Sequence, residues 1–290
     1  MNKLLLLLMM VGGGFMAGAA PLWMRYNTIS PDGSKIAFAY KGDIYVVDSR
    51  GGAAQRLTAW DSFESAPVWS NDGKTLAFVS DRNGGRDIFT IPATGGTATQ
   101  VTTHSAQENA LAFSKDDKYI YYTAVIQDPA HSVMFPDSWI SELYRIPVTG
   151  GRPEQILAAP VSNLCFDADG ESFLYENRTG SENIWRKHHV SSVARDIFHY
   201  DVQTGKHTQV TTNVGEDRSP FYTPDGKVVF LSERNGGSFN IYRADLQATD
   251  KAEALTSFRN HPIRFLTQAM ACSKLTQRKW REPVRSTNRS

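Results

Sequence analysis

Short runs of alternating apolar and polar residues recur along the chain, separated by residues that favour turns. The first run is Lys35 to Tyr40, and a second, Asp43 to Val47, follows after two residues. Alternation with a period of two predicts β-strands that bury one face. The turn before them, Ser30-Pro31-Asp32-Gly33, combines a proline that fixes φ, a carboxylate that can bond the backbone ahead and a glycine that tolerates positive φ. These runs predict an all-β protein of short strands.

The same order of elements returns at a regular interval. Ser70-Asn71-Asp72-Gly73 lies 40 residues after the first such turn, and it again precedes two apolar runs and a Gly-Gly pair that predicts a hairpin. One repeat holds about four short strands, a sheet too small to bury its own faces. Sheets of this size arranged radially around an axis form a β-propeller. The alternative, a β-sandwich, does not require such regular recurrence of the same turn.

Five repeats are discernible, and a sixth is incomplete. We expect the propeller to occupy residues 21–266. The predicted blades cover residues 26–58, 66–103, 107–158, 162–212 and 217–257, and a sixth begins at 260–266.

The first twenty residues have the parts of a secretory signal. Lys3 is followed by an apolar run and then by small residues that include Ala17 and Ala19, the two small positions expected before a cut. The run is too short and too rich in glycine to span a membrane comfortably, although a retained anchor is the alternative. We expect cleavage after Ala19 or Ala20, no membrane span afterwards, and a secreted or periplasmic mature protein.

Charge argues against a nucleic-acid partner. The 290 residues hold 31 Lys and Arg against 30 Asp and Glu, but six of the basic residues and one acidic residue lie within 267–290. Residues 1–266 therefore carry 25 basic and 29 acidic side chains, and a slightly acidic body does not suit a phosphate-binding surface. Two cysteines, Cys165 and Cys272, cannot form a disulfide framework. We expect the basic tail, 267–290, to be disordered.

The sequence holds no recognisable catalytic signature. Neither a Gly-x-Ser-x-Gly elbow, a His-Glu-x-x-His motif nor a phosphate-binding glycine loop occurs after the leader, so we expect no catalytic residues, no metal and no cofactor. An insertion between two strands of the fourth repeat, 178–195, is dense in basic residues, and loops on a rigid scaffold commonly carry binding. A solvated hairpin tip is the alternative. The candidate binding residues are Arg186, Lys187, His188, His189 and Arg195.

A second insertion, 124–141, lies in the third repeat. It combines apolar residues such as Met134, Phe135 and Trp139 with two Asp-Pro or Pro-Asp pairs. This segment could cover a neighbouring blade or contact a partner, and the sequence favours neither.

The series Ser-Pro-Asp-Gly, Ile-Ala-Phe, Asp-Ile-Tyr and Leu-Thr resembles the propeller repeat of the translocation protein TolB and of the N-terminal domains of tricorn-type serine peptidases. Two further segments, Trp23 to Gly33 and Trp185 to Ile197, resemble the start and an internal loop of exported bacterial tricorn-like peptidases. The resemblance covers residues 22 to about 266. It implies a six-bladed propeller that precedes a peptidase domain located far downstream, so the chain is expected to be the propeller, truncated before the catalytic domain.

This resemblance implies a non-catalytic module that binds or gates peptide or protein substrates. A TolB-like periplasmic scaffold for protein–protein interaction is the rival, although TolB-like chains place a small domain before the propeller. The chain alone is not expected to be an enzyme unless a partner supplies the active site. We also expect self-association through the incomplete propeller. The tail is interpreted as the product of a frameshift or early stop, or alternatively as a natural basic tail.

Overall fold

The computed structural model describes residues 24–126, 140–178, 180, 191–235, 238–259, 262–264 and 266–268. Within them lie twenty β-strands and one short 3₁₀ helix, η1, at Thr249–Lys251. The strands form five four-stranded antiparallel sheets, each built from four strands consecutive in sequence. The prediction of a β-propeller is therefore confirmed. The predicted signal segment, residues 1–20, and all of the predicted tail after Gln268 lie outside the described residues.

Each blade runs from an inner strand beside the axis to an outer strand at the rim. Blade 1 comprises β1 (Arg25–Ile29), β2 (Lys35–Tyr40), β3 (Asp43–Asp48) and β4 (Gln55–Arg56). Blade 2 comprises β5 (Glu64–Trp69), β6 (Thr75–Ser80), β7 (Asp87–Pro92) and β8 (Thr99–Gln100). Blade 3 comprises β9 (Asn109–Phe113), β10 (Tyr119–Ala124), β11 (Glu142–Pro147) and β12 (Glu154–Leu157). Blade 4 comprises β13 (Val161–Phe166), β14 (Ser172–Asn177), β15 (Asp196–Asp201) and β16 (Lys206–Gln209). Blade 5 comprises β17 (Asp217–Tyr222), β18 (Lys227–Ser232), β19 (Asn240–Asp245) and β20 (Glu253–Ala254).

The hydrophobic core lies between blades. The described residues form four core clusters, and each combines side chains of two neighbouring blades. In the first cluster Ile44 and Val46 of blade 1 lie with Trp69 and Phe78 of blade 2. A four-stranded sheet cannot bury its own apolar faces, so each blade depends on its neighbour for a core.

The repeated Ser-x-Asp-Gly turn is held by its own side chains. In blade 2 the Ser70 hydroxyl donates to Asp72 Oδ1 (2.7 Å) and accepts from the Thr75 amide (2.9 Å), while Gly73 adopts a φ of 68°. The same pattern in blade 1 lowers the pKa of Asp32 to about 2, mainly through the hydrogen bond from the Ser30 hydroxyl. The turn residues therefore set the start of the second strand in each of these blades.

The threonine that ends the repeat has a buried structural role. The hydroxyl oxygens of Thr58, Thr102, Thr211 and Thr256 accept a hydrogen bond from the backbone amide of an isoleucine in the third strand, at 2.8 to 2.9 Å. Each bond gives a partner to a backbone amide of the third strand, at the point where the outer strand ends and backbone pairing stops.

One backbone hydrogen bond recurs at the blade junctions. The amide of Glu64 donates to the carbonyl of Gly42 (2.8 Å), and corresponding bonds join Asp217 to Arg195 (2.9 Å) and Ile263 to Phe239 (3.0 Å). The last bond places Ile263 where the inner strand of a sixth blade would begin. No strand lies among the described residues of 260–266, so only the entry of the predicted sixth blade has a structural counterpart.

Candidate functional site

The two ends of the propeller carry different connections. The Ser-x-Asp-Gly turns and the hairpins between third and fourth strands lie at one end, which we call the turn face. The described connections between second and third strands, which include Arg178 and Arg195 at the two ends of the segment 178–195, lie at the other end, the loop face. The inner strands begin at the loop face, so residues early in β1, β5, β9, β13 and β17 lie beside these loops.

An axial cavity of about 510 Å³ lies between the inner strands. All five inner strands line it, and the described residues Arg264, Leu266, Thr267 and Gln268 complete its wall between blades 5 and 1. Thr267 Oγ1 accepts from the Ile29 amide (3.2 Å), and Gln268 Nε2 donates to the Tyr222 carbonyl (2.8 Å). The segment 262–268 therefore bridges the first and fifth blades.

Glu176, at the loop-face end of β14, organises the site beside this cavity. Its side chain is fully buried. One carboxylate oxygen accepts from the Ser219 amide (2.6 Å) and from Asn163 Nδ2, while the other accepts from the Ser162 hydroxyl (3.0 Å) and from Arg195 Nη1 (3.0 Å). Four donors satisfy this carboxylate, which explains how a buried charge is tolerated.

Arg195, just before β15, joins two carboxylates. Besides Glu176, its Nε lies 3.3 Å from Glu216 Oε1. Burial lowers the pKa of the nearby Arg178 guanidinium, and the positive charge of Arg195 lowers it further. Arginines therefore concentrate where the 178–195 loop leaves and re-enters blade 4.

Arg218, the second residue of β17, is a further arginine beside this cluster. It is 8% exposed and lines the axial cavity, and its guanidinium carbon lies 4.0 Å from the centre of the Phe239 ring. Its Nε lies 3.8 Å from Glu216 Oε1, too far for a hydrogen bond, and neither Nε nor Nη2 has a hydrogen-bond partner among the described residues. Burial lowers the pKa of Arg218 despite the neighbouring glutamates.

A second hollow, of about 620 Å³, lies at the loop face between blades 1 and 2. Its wall includes the aromatic rings of Tyr26, Tyr40 and Phe63, and Tyr26 also lines the axial cavity. Phe63 is 51% exposed, and the nearby Trp60, 62% exposed, lies over the Arg82 guanidinium at 4.9 Å. The loop face thus carries exposed aromatic groups between blades 1 and 2, and the cluster of Glu176, Arg195 and Glu216 between blades 4 and 5.

The structure describes one of the five predicted binding residues. Arg195 lies at the site. Both of its ion pairs are with buried glutamates, so its charge also stabilises the packing of blades 4 and 5. Arg186, Lys187, His188 and His189 lie outside the described residues, and binding by any of the five stays a prediction. Most of the second insertion, 127–139, is also outside them. No group of three potential metal ligands occurs among the residues that the structure describes.

Sequence reasoning missed Arg218 and Glu176. The repeat gives no signal for Arg218, because blade 1 also holds an arginine, Arg25, directly before the inner-strand residue of positive φ, where blades 2 and 4 hold Ser65 and Ser162. Glu176 gives no signal either, since its partners come from other strands and another blade.

The comparisons with known proteins agree with this architecture. The family described as "Tricorn protease N-terminal beta propeller domain" matches residues 21–271. Dipeptidyl-peptidase 5 of Porphyromonas endodontalis is 25% identical over 267 residues, covering 74% of this chain and 38% of that protein. The chain therefore spans about two-fifths of the length of this relative.

Solved structures share the fold. The tricorn protease superposes with a TM-score of 0.69 and 18% identity, covering 86% of this chain and 24% of the protease. The putative TolB from Agrobacterium tumefaciens superposes with a TM-score of 0.64 and 18% identity, and the match covers 82% of each chain. Among the described residues, no helix has the length and apolar character needed to cross a membrane.

Proposed function

Because this chain belongs to the family of tricorn protease N-terminal β-propeller domains, we propose that it is a non-catalytic module that binds or gates peptides at its loop face. The axial cavity carries this proposal. It is bounded by inner strands from all five blades, and Arg195 and Arg218 line it near the loop face. A concave site with a few polar groups on a rigid scaffold is the usual form of a ligand site.

Narrowing the cavity tests this proposal. Leu111 of β9 lines the cavity and is half-buried, so Leu111→Trp reduces its volume. Fluorescence anisotropy with labelled unstructured peptides of 6 to 12 residues measures affinity. The control is Val202→Trp, which adds the same side chain at an exposed position on the turn face. We expect Leu111→Trp to weaken binding about tenfold or more and Val202→Trp to leave it unchanged, and equal affinities would contradict the proposal.

A TolB-like protein–protein scaffold is the second candidate. The comparison that favours it covers 82% of both this chain and the Agrobacterium tumefaciens protein. A folded partner would use the exposed aromatic groups of the loop face rather than the cavity. Substituting Trp60 and Phe63 by alanine should then abolish binding of such a partner, whereas Leu111→Trp should not. The reverse result favours peptides in the cavity.

We propose that the module itself has no peptidase activity and that it acts after export. The support is the lack of a nucleophile motif and the leader-like first twenty residues. Turnover of a fluorogenic peptide that is lost with a serine-directed inhibitor would contradict the first statement. Mass spectrometry of protein recovered from a bacterial periplasm tests the second, and the expected new N-terminus follows Ala19 or Ala20.

A further inference from the structure

We propose that Glu108 is a protonation switch in the junction between blades 2 and 3. Protonated Glu108 holds the start of β9 against β7, and ionised Glu108 loosens this junction at the loop face. Ala110 and Leu111 of β9 line the axial cavity, so the switch determines how firmly this part of the wall is held.

The junction between blades 1 and 2 shows how a pair of buried carboxylates is balanced. Asp43 begins β3, Glu64 begins β5, and both are buried. Arg56 Nη2 lies 2.7 Å from Asp43 Oδ2. Arg82 pairs with Glu64. Each carboxylate at this junction therefore has a cation, which offsets part of the cost of burying its charge.

The junction between blades 2 and 3 buries the same pair of carboxylates without a cation. Asp87 begins β7 and is 4% exposed, and Glu108 directly precedes β9 and is 1% exposed. No lysine or arginine among the described residues forms an ion pair with either carboxylate. One oxygen of each also has no hydrogen-bond partner in the described part of the chain. A charge on both groups at once is therefore costly.

The missing cation can be traced to one position in the repeat. Arg82 lies two residues after β6 ends, and Arg234 lies two residues after β18 ends. Each pairs with the carboxylate that begins the inner strand of its own blade. Ile126 lies two residues after β10 ends, and it packs against the core cluster of blades 2 and 3. An isoleucine thus occupies the place from which an arginine reaches the carboxylate in two other blades.

The groups around Glu108 leave its charge uncompensated. Asp87 repels it, and burial with this repulsion brings the Glu108 pKa to about 7. Tyr122 of β10 also interacts with Glu108, but burial raises the pKa of this phenol well above its usual value, so the ring stays uncharged. His104 acts on Asp87, and Arg86 Nη2 donates to the side chain of the first residue of β9 at 3.1 Å. Glu108 therefore changes charge in the neutral range of pH.

Ionisation acts on hydrogen bonds that cross the junction. The Thr102 hydroxyl donates to Glu108 Oε2 and accepts from the Ile88 amide (2.8 Å), while the Glu108 amide donates to the Arg86 carbonyl (3.0 Å). Protonated Glu108 keeps these contacts without a buried charge. Ionised Glu108 is stabilised by water, so states in which the junction is open become more populated.

Hydrogen exchange of single amides, measured by NMR on the whole chain at pH 5 and pH 8, tests the switch. Protection factors remove the intrinsic effect of pH on exchange. Protection of the Ile88 and Glu108 amides should fall at least about tenfold from pH 5 to pH 8, because the open junction releases the Glu108 proton at a lower pH than the closed one. The corresponding amides of Ile44 and Glu64, at the junction with two arginines, should change much less. An equal fall at both junctions would indicate global destabilisation and overturn the switch.

Two variants remove the switch by different routes. Ile126→Arg supplies the missing cation, so protection of the Ile88 amide should agree within about twofold at the two pH values. Ile126→Met changes the same position without adding charge, and it is the control that should keep the fall. Glu108→Gln cannot ionise and should also abolish the fall, which keeps the test decisive if Ile126→Arg does not fold. A fall that persists in Glu108→Gln, or its absence from the unsubstituted protein, overturns the proposal.

Discussion

Buried carboxylates mark the junctions between blades, and their partners differ. Glu64 pairs with Arg82, and Asp217 pairs with Arg234 at 3.2 Å. Glu108 accepts instead from the Thr102 hydroxyl, and its other oxygen has no hydrogen-bond partner among the described residues. Burial, together with the charge of the nearby Asp87, raises the pKa of Glu108 to about 7. A carboxyl group at this junction is therefore tuned to the neutral range.

We expect Glu108→Gln to stabilise the protein more at pH 8 than at pH 5. The raised pKa means that, as pH rises from about 4.5 to 7, the unfolded chain releases this proton before the folded one does, so the free energy of unfolding falls. Glutamine carries no proton to lose, and the gain at pH 8 should be on the order of 1–3 kcal/mol. Urea denaturation at both pH values measures it.

Glu154→Gln is the control for this substitution, since Glu154 lies on the surface and pairs with Arg145. Its effect should stay within about 0.5 kcal/mol and change little between pH 5 and pH 8. A gain for Glu108→Gln that is the same at both pH values would show that the carboxyl does not titrate in this range.

The repeated threonine gives a second prediction at the level of residues. Thr211→Val keeps the shape but removes the acceptor for the Ile197 amide, which is buried, so it should cost about 1–3 kcal/mol. Thr208→Val, at an exposed position three residues earlier, should be nearly neutral. The difference in denaturation midpoints checks this, and equal costs would exclude a structural role for the hydroxyl.

At the scale of elements, the hairpin of blade 1 packs closely against the next connection. Gly42 has a φ of 88°, and a Cβ there would lie 3.2 Å from the backbone oxygen of Ser62. Gly51 has a φ of 98° with open space around it. Both alanine substitutions meet backbone strain, but Gly42→Ala adds a clash with backbone and should cost about 1 kcal/mol more. Thermal denaturation compares the stabilities of the two variants. Equal losses of stability would show that the Ser62 backbone moves away from the new Cβ without a measurable cost.

The strands and turns could be predicted from sequence because their determinants are local. Asp72 and Gly73 act within one turn, and the continuous apolar runs of β6 and β10 mark strands that are buried on both faces. The axial site could not be predicted in the same way. Glu176 collects donors from β13, from β17 and from Arg195 before β15, so the arrangement exists only after two blades have packed.

For the whole molecule, the bridge between blades 5 and 1 gives a further prediction. Thr267→Val removes the acceptor for the Ile29 amide and should cost about 0.5–1.5 kcal/mol. Hydrogen exchange should accelerate at the Ile29 amide, while Thr99→Val, at an exposed position on the outer strand of blade 2, should leave it unchanged. Unaltered exchange in Thr267→Val would show that this bond does not hold the first blade.

Self-association through the region between blades 5 and 1 stays a prediction. Unpaired strand edges tend to pair with another chain. Sedimentation velocity over a range of protein concentrations should show a concentration-dependent dimer or larger species. A single monomeric species at every concentration, with reversible melting, would contradict it.

The sharing of each core cluster between two blades has a consequence for how such a molecule changes over evolutionary time. A duplicated repeat brings one sheet and creates one more junction of the same kind, so the existing junctions need not be redesigned. A mutation inside a blade, by contrast, alters the packing of both neighbours. Propellers built this way can change length in whole repeats, while each individual repeat remains constrained by its two neighbours.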